Sequence, residues 1–273
     1  MIPMKLPARP KHAGVKSVLY PVLFGVLLMV LWQTQVLHKL LHTTTLILPL
    51  PGKIVSVLAG NAPAVWQNTQ VTLAVLLPGL AIGSLIGYGL SVLASHSPRF
   101  GATGLTVIAA VSAVPIVALS AVMLQWTRNV STDVGTRSYV MKLLIVVIVS
   151  IASMTLNAYR GLTELPPYAL DLMKTLAAGR WTVLIKLRAP NSIPFVFTSL
   201  KVSVPAGVMA ALVSEYFAEK VSGVGRMIRE NILKAQYAAA WAYIAVACLL
   251  GIAMYAVLMA VEHLVMKKRH AFL

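Results

Sequence analysis

Acidic residues are scarce in this chain, and so is charge of either sign. Of 273 residues only 7 are Asp or Glu and 11% are charged, whereas 59% are hydrophobic and the mean hydropathy is +0.83. A water-soluble domain of this length needs more polar surface than that. The composition therefore predicts an all-α integral membrane protein, with hydrocarbon in place of water around much of the chain.

The residue groups that an enzyme needs are also missing. The acidic residues are scattered, so no cluster of acids, nucleophiles or metal ligands indicates a membrane enzyme. No GxxxxGK[ST] phosphate loop occurs, because Gly52-Lys53 lacks the upstream glycine and the following hydroxyl. We predict that the chain is not an enzyme, binds no cofactor directly and does not hydrolyse ATP itself.

Potential metal ligands are few. The single cysteine, Cys248, lies in an apolar run and is expected to be a small packing residue. His38 and His42 are four residues apart, a spacing that can hold a metal, but no third ligand accompanies them. We expect this pair to be solvated at the membrane interface, and we predict no metal site.

Lys and Arg number 23 and lie mostly in the gaps between apolar runs. In a soluble protein this excess would suggest nucleic acid. Between membrane spans it indicates membrane orientation and contact with anionic lipid headgroups instead. We therefore predict membrane lipids, and not nucleic acid, as partners.

Uncharged apolar runs predict about six spans, since about 20 helical residues cross a hydrocarbon core of about 30 Å. Pro115 should kink or break the third span, and Lys142 should snorkel from the end of the fourth. The fifth contains Glu215. The predicted spans are residues 17–38, 69–94, 101–126, 139–159, 194–218 and 237–265.

Six spans place both chain ends on one side of the membrane, together with the loop 162–193. That side holds 13 Lys and Arg and the opposite side 9, with Lys201 counted inside the fifth span. Because basic residues concentrate in cytoplasmic loops, we expect both ends in the cytoplasm. The chain then divides into a basic N-terminus (1–16), a transmembrane domain (17–265) and a basic tail (266–273).

The loop 162–193 is amphipathic and rich in charge and turn-forming residues. Its pattern predicts a helix, a break marked by glycine, and a second, shorter helix. An exposed helical element between two spans is a plausible docking site for a soluble partner.

Within this loop the sequence reads Asp171-Leu172-Met173, three residues, Ala177, nine residues, then Leu187-Arg188-Ala189-Pro190. This register resembles the EAA loop of permease subunits in binding-protein-dependent ABC importers. That family's pattern is EAA, three residues, Gly, nine residues, then I-x-L-P. The spacing is kept, with Asp171 as the acid and Pro190 as the proline. Ala177 replaces the glycine, and Gly179 follows two positions later.

Other segments resemble the nitrate, sulfonate and taurine branch of that family, which also includes permeases for thiamine-precursor pyrimidines and riboflavin. Their order and spacing along residues 45–265 carry the resemblance more than any single motif. The segments are Leu48-Pro49-Leu50-Pro51, Asn68-Thr-Gln-Val-Thr72, Val114-Pro115, Asn157-Ala-Tyr-Arg-Gly161, Pro190 with Pro194, Glu215, and Gly223-Val-Gly225.

The resemblance implies a type I importer permease in a bacterial inner membrane, paired with a second copy of itself or a related subunit. Its loop helix would seat in a cytoplasmic ATPase subunit, which would bind ATP and magnesium. A periplasmic or lipid-anchored binding protein would deliver the solute. That solute is nitrate-, sulfonate- or taurine-like on one hypothesis, and a pyrimidine or riboflavin on the other.

Residues outside the loop give further candidates. Glu215 is interpreted either as a structural clamp with Arg226 or Arg229, or as part of an outer gate. Pro115, Met209 and Val213 are candidates to line the translocation path. Gly79, Gly83 and Gly87 recur every four residues and should let another helix pack closely.

Two other functions stay open at this stage. An ATP-independent secondary transporter or channel would favour paired acidic residues in the spans and an internal repeat, and the sequence has neither. A membrane scaffold would have no translocation path and no ATPase partner.

Overall fold

The computed structural model describes residues 15–270, and this part of the chain is helical with no β-strand. The sequence-based expectations for residues 1–14 and 271–273 lie outside the described residues. Twelve α-helices occur in the described range. They are α1 (Val15–Gln33), α2 (Val36–Leu40), α3 (Pro51–Gly60), α4 (Ala62–His96), α5 (Pro98–Ser112), α6 (Ile116–Trp126), α7 (Val134–Thr163), α8 (Ala169–Thr175), α9 (Arg180–Val183), α10 (Ala189–Phe217), α11 (Val224–Leu233) and α12 (Tyr237–His270).

Four helical segments are long and apolar enough to cross a membrane. They are α4, α7, the continuous helix Arg180–Phe217, and the stretch Tyr237–Lys267 of α12. The pair α5 and α6 could add a fifth, and Leu19–Gln33 of α1 is apolar but shorter. The all-α membrane fold is therefore confirmed, while the count of six spans is approximate.

The predicted third span is two helices and not one straight rod. Its two halves, Thr103–Ser112 and Ile116–Asn129, meet at an angle of 90°. Pro115 stands immediately before α6 with an extended backbone, φ −61° and ψ 126°. Proline lacks the N–H that would continue the helix, and it disfavours helical geometry in the residue before it. The break predicted at Pro115 is confirmed.

The loop's second helix does not end before the fifth span. Helix α9 continues through a π-helical turn, Leu184–Arg188, directly into α10, so one helix of 38 residues runs from Arg180 to Phe217. The second loop helix and the predicted fifth span, residues 194–218, therefore belong to one continuous helix as far as Phe217. Pro190 lies in the first turn of α10, while Pro194 and Pro205 lie inside it, so these prolines do not end the helix.

Helix α7 lies at the centre of the fold, packed between α4 and α10. The close approach to α4 depends on glycines. A Cβ added at Gly83 would lie 2.6 Å from Ser150 Cβ, and one at Gly87 would lie 2.8 Å from Ile151 O. Gly79 meets Val146 in the same way, at 2.6 Å. The three glycines that share a face of α4 thus lie against the backbone and short side chains of α7.

Candidate functional site

The loop helix α8 begins after the sequence Pro166-Pro167-Tyr168. Tyr168 has a left-handed backbone, φ +63°, and α8 starts at the next residue. Asp171 lies in its first turn and Lys174 in its last, and their side chains are 2.9 Å apart. An acid near the N-terminus and a base near the C-terminus both suit the helix dipole, although so exposed a pair contributes little stability.

Helix α8 ends in a turn that normally requires glycine. Ala177 has φ +49°, and its N–H donates to Lys174 O at 2.9 Å. The next N–H, of Ala178, donates to Met173 O, also at 2.9 Å, which completes a Schellman motif. A left-handed residue with a Cβ costs about 1 kcal/mol. Glycine, which the EAA pattern that this loop resembles has at this position, would adopt the conformation without that cost. Gly179, at φ −66°, needs no such freedom.

Large apolar side chains are exposed along this loop. Leu172, Leu176, Trp181 and Ile185 are each between 61% and 70% exposed. Asp171 is exposed beside Leu172, whereas Met173, Leu187 and Pro190 are only partly exposed. Such a surface outside a core indicates a contact with another molecule. Of the loop residues singled out in the sequence, Asp171 and Leu172 are thus exposed on α8, Met173 is half-buried on the same helix, and Leu187 and Pro190 are half-buried near the start of the long helix.

Glu215 lies fully buried near the end of α10. The Thr72 hydroxyl donates to its carboxylate, with Oγ1 2.9 Å from Oε1 and 3.0 Å from Oε2. The N–H of Gly225 donates to Oε2 at 2.8 Å, and Lys142 Nζ lies 3.9 Å from Oε1. A buried carboxylate is tolerated when it is paired and hydrogen-bonded in this way. We call Asn68, Thr72, Lys142, Glu215 and the segment Gly223–Gly225 the Glu215 cluster.

The segment before α11 is fixed to α4 and α10 through its backbone. The N–H of Gly223 donates to Asn68 Oδ1 at 2.9 Å, and the N–H of Val224 donates to Thr72 Oγ1 at 3.0 Å. Gly223 has φ +100°, and a Cβ there would collide with the carboxyl group of Glu215. A Cβ at Gly225 would collide with Leu212 O. Three consecutive N–H groups are thus held, and both glycines are needed for the close approach.

Two expectations about charged partners are wrong. Lys142 does not snorkel, because it is 2% exposed and faces Glu215. Arg226 and Arg229 do not pair with Glu215, since Arg226 binds Glu230 at 2.9 Å and Arg229 lies over the ring of Tyr216. The sequence did carry a signal for part of the cluster, because Asn68 and Thr72 are four residues apart and so share a face of α4.

The candidate path residues lie on a different, apolar surface. Met209 and Val213 line a concavity of about 380 Å³ between α6, α10 and α11, and Met209 also borders one of about 780 Å³ that extends along α12. No charged residue lines either concavity among residues 15–270. Pro115 is exposed at the nearby break, and Val117 is the residue of α6 that reaches this surface.

His38 differs from expectation because it is buried. Its Nε2 lies 2.6 Å from Leu48 O and donates to it, so the ring holds the segment before α3. His42 lies beyond α2 in a left-handed conformation. Within the described part of the chain no three His, Cys, Asp or Glu residues gather where they could hold a metal ion.

A family model described as the binding-protein-dependent transport system inner membrane component matches residues 79–269. The chain belongs to this family. It is therefore a membrane-spanning permease subunit of an ABC importer, a transport component and not an enzyme. Membership of this family implies a solute-binding protein and an ATPase as partners. The matched residues include α8, the long helix and the acidic member of the Glu215 cluster.

Three curated relatives cover most of this permease. A probable ABC transporter permease protein of Haemophilus influenzae is 28% identical over 76% of the chain and 80% of its own length. The formylaminopyrimidine transport permease protein ThiX of Halalkalibacterium halodurans is 25% identical over 92% and 96%. The riboflavin transport system permease protein RibX of Chloroflexus aurantiacus is 24% identical over 82% and 79%.

Proposed function

We propose that this permease subunit imports a planar nitrogen heterocycle of the pyrimidine or flavin class. The observation that carries the proposal is its similarity to ThiX along nearly the full length of both chains. RibX, named for riboflavin, is a second relative whose named solute is a flat, nitrogen-rich ring system. None of the three relatives is named for nitrate, a sulfonate or taurine, so they favour the second sequence-based hypothesis.

The apolar surface of α10 supports the same class of solute. A small anion that sheds its water needs cations or N–H donors along its path. The concavities around Met209 offer none from charged side chains, but they do present Tyr216, Phe217 and Tyr255. Aromatic rings and methionine pack well against flat heterocycles.

Coupling to ATP is proposed to pass through α8. The exposed Leu172 and Leu176, together with Asp171, form a small surface that a groove on an ATPase subunit could cover. ATP shifts the equilibrium between inward-open and outward-open states only through such differential contacts. The loop connects by a four-residue link, ending at Gly179, to the helix Arg180–Phe217, which carries Met209 and Glu215. A displacement of α8 can therefore be transmitted along the chain to the residues proposed to line the translocation path.

The complete importer is proposed to contain two permease copies, with the apolar concavities of α10 facing the partner copy. Both chain ends and α8 would lie in the cytoplasm, as the distribution of Lys and Arg indicates. The binding protein would deliver solute at the opposite side, near α11. The membrane would be the bacterial inner membrane.

Solute uptake by intact cells tests the substrate class. A strain lacking this chain, and the same strain complemented with it, would be supplied with labelled formylaminopyrimidine, riboflavin, taurine or nitrate. We expect complementation to restore accumulation of one of the two heterocycles and neither anion. Restored uptake of taurine or nitrate alone would contradict the proposal.

Co-purification tests the coupling loop. The intact chain would be isolated from detergent-solubilised native membranes beside the variant Asp171→Arg/Leu172→Asp. A matched control, Leu233→Asp, alters an equally exposed leucine at the end of α11. We expect an ATPase subunit to accompany the parent and the control but not the loop variant. If none accompanies the parent while the complex is kept intact, a scaffold or an ATP-independent transporter becomes the better interpretation.

A further inference from the structure

A basic pocket lies on the face of α8 that is turned toward the rest of the chain. It has a volume of about 330 Å³ and separates α8 from the end of α4 and the start of the long helix. Leu170 and Lys174, which lie four residues apart on one face of α8, line it together with Ala178 from the turn that follows the helix. At 3.6 residues per turn, Leu172, which we assign to the ATPase contact, lies about 160° around α8 from both Leu170 and Lys174.

The charge lining this pocket is positive. Lys174, Arg180 and Arg188 line it together with His96, and no acidic side chain of the described residues does. Asp171 offsets part of this charge from outside through its ion pair with Lys174. Arg188 donates from Nη1 to Ser95 O at 2.9 Å, while its Nε is buried and has no partner within the described residues. The side chains that line the pocket therefore carry excess positive charge even after the ion pair of Lys174 with Asp171 is counted.

We propose that this pocket binds a phosphate group, carried either by an anionic lipid headgroup or by a soluble phosphate compound. Guanidinium groups match the geometry of phosphate oxygens and form strong charge-assisted hydrogen bonds with them. The volume accommodates a phosphate together with the small polar group attached to it. The ring of Trp181 stands 5.8 Å from that of His96 beside the pocket and is exposed, as is typical of tryptophan at the membrane surface.

Native mass spectrometry of the purified full chain in a neutral detergent tests this proposal. The chain would be titrated with phosphatidylglycerol, phosphatidylcholine or sodium phosphate. The variants are Arg180→Gln, Lys174→Gln/Arg180→Gln and the charge-preserving Arg180→Lys. The control is Lys186→Gln, an exposed cation on the same stretch of helix that does not line the pocket. No ATPase is present, so the outcome is independent of the coupling proposal.

We expect one phosphatidylglycerol to be retained more tightly than phosphatidylcholine. Arg180→Gln should weaken this binding about fivefold, and the double variant should weaken it further. Arg180→Lys and Lys186→Gln should bind within about twofold of the parent. If sodium phosphate displaces the lipid at millimolar concentration, the soluble compound is the source of the phosphate. Equal binding by the parent and the double variant would overturn the proposal, and so would an equal loss in Lys186→Gln.

Discussion

Near the end of α10 the chain buries a carboxylate, an ammonium group and a hydroxyl, whereas beyond the start of the same long helix it exposes leucine and tryptophan side chains. In the Glu215 cluster every hydrogen bond described has its partner within the chain. In the loop 162–193, by contrast, Leu172, Leu176 and Ile185 are more than half exposed. The polar groups of the first region are paired within this subunit, whereas these apolar side chains of the loop are open to contact with another molecule.

This difference indicates which of the two regions moves during transport and which keeps its structure. A region whose buried polar groups are paired within the chain resists rearrangement, because breaking a buried hydrogen bond or ion pair costs free energy. A region with exposed apolar surface gains free energy when a partner covers it. We therefore expect the Glu215 cluster to be a fixed junction, one that keeps its contacts during transport. We expect the loop to be the part that moves when a partner binds.

The largest expected effect comes from Glu215→Ala, because it leaves Lys142 buried without a counter-ion. Removing one partner of a buried pair costs about 3–5 kcal/mol. Thermal unfolding in detergent, followed by tryptophan fluorescence, should show a much lower midpoint. The double variant Glu215→Ala/Lys142→Met should recover part of the loss. A midpoint equal to that of the parent would mean that the cluster is not a fixed junction.

A smaller effect should follow from Gly83→Ala, which disturbs the contact between α4 and α7 that connects the two regions. The added methyl meets Ser150 Cβ and Val147 O, each 2.6 Å away, so overpacking should cost about 1–3 kcal/mol. Gly89→Ala is the matched control in the same helix, since a Cβ there meets nothing within 4 Å. It should stabilise the helix by up to about 1 kcal/mol. The same sign in both variants would contradict the proposed contact.

Ala177→Gly should have a smaller effect, of the opposite sign. Glycine relieves the left-handed strain but adds freedom to the unfolded chain, so the gain is at most about 1 kcal/mol. Hydrogen exchange of the α8 amides should become slower or stay unchanged. Ala178→Gly, at a neighbouring position without positive φ, should make the same amides exchange faster. Faster exchange in Ala177→Gly would argue against the Schellman turn.

The smallest effect is expected at Asp133, an exposed residue that caps α7. The Thr136 N–H donates to its carboxylate at 2.6 Å, and this bond lowers the pKa of Asp133 below its ordinary value. The stabilisation is therefore present above the ordinary pKa and is lost as the pH falls through the lowered one. Asp133→Asn should reduce the thermal midpoint slightly at pH 7, and the difference should vanish in acid. A difference as large in strong acid as at pH 7 would rule out the charged cap.

The membrane class and most helical segments could be predicted because the length of each uncharged apolar run can be counted in the sequence. The break at Pro115 could also be predicted, because a proline lacks the N–H group that continues a helix and so interrupts it at its own position. The continuity of α9 with α10 could not be predicted, because Arg180, Lys186 and Arg188 look like residues outside the bilayer whether or not the helix continues. A charge pattern indicates whether a segment lies inside or outside the bilayer, but it does not indicate the residue at which a helix ends.

The Glu215 cluster was only partly predictable. Its acidic member stood out as a carboxylate at the end of a span, but Lys142 and Thr72 lie 73 and 143 residues away in the chain. Nothing local distinguishes Lys142 from a residue that snorkels. Arg226, by contrast, was a reasonable neighbour by sequence, and it instead finds Glu230 one helical turn away.

Pro194 and Pro205 have a mechanical consequence for the long helix. Each leaves one hydrogen bond of the helix unmade, at points about 16 Å apart along the axis at 1.5 Å per residue. The segment after Pro205 is anchored by the Glu215 cluster, while the segment before Pro194 leads to the loop. We therefore expect a displacement of the helix at Arg180 to bend it at Pro194 and Pro205, while the Glu215 cluster holds the end of the helix in place.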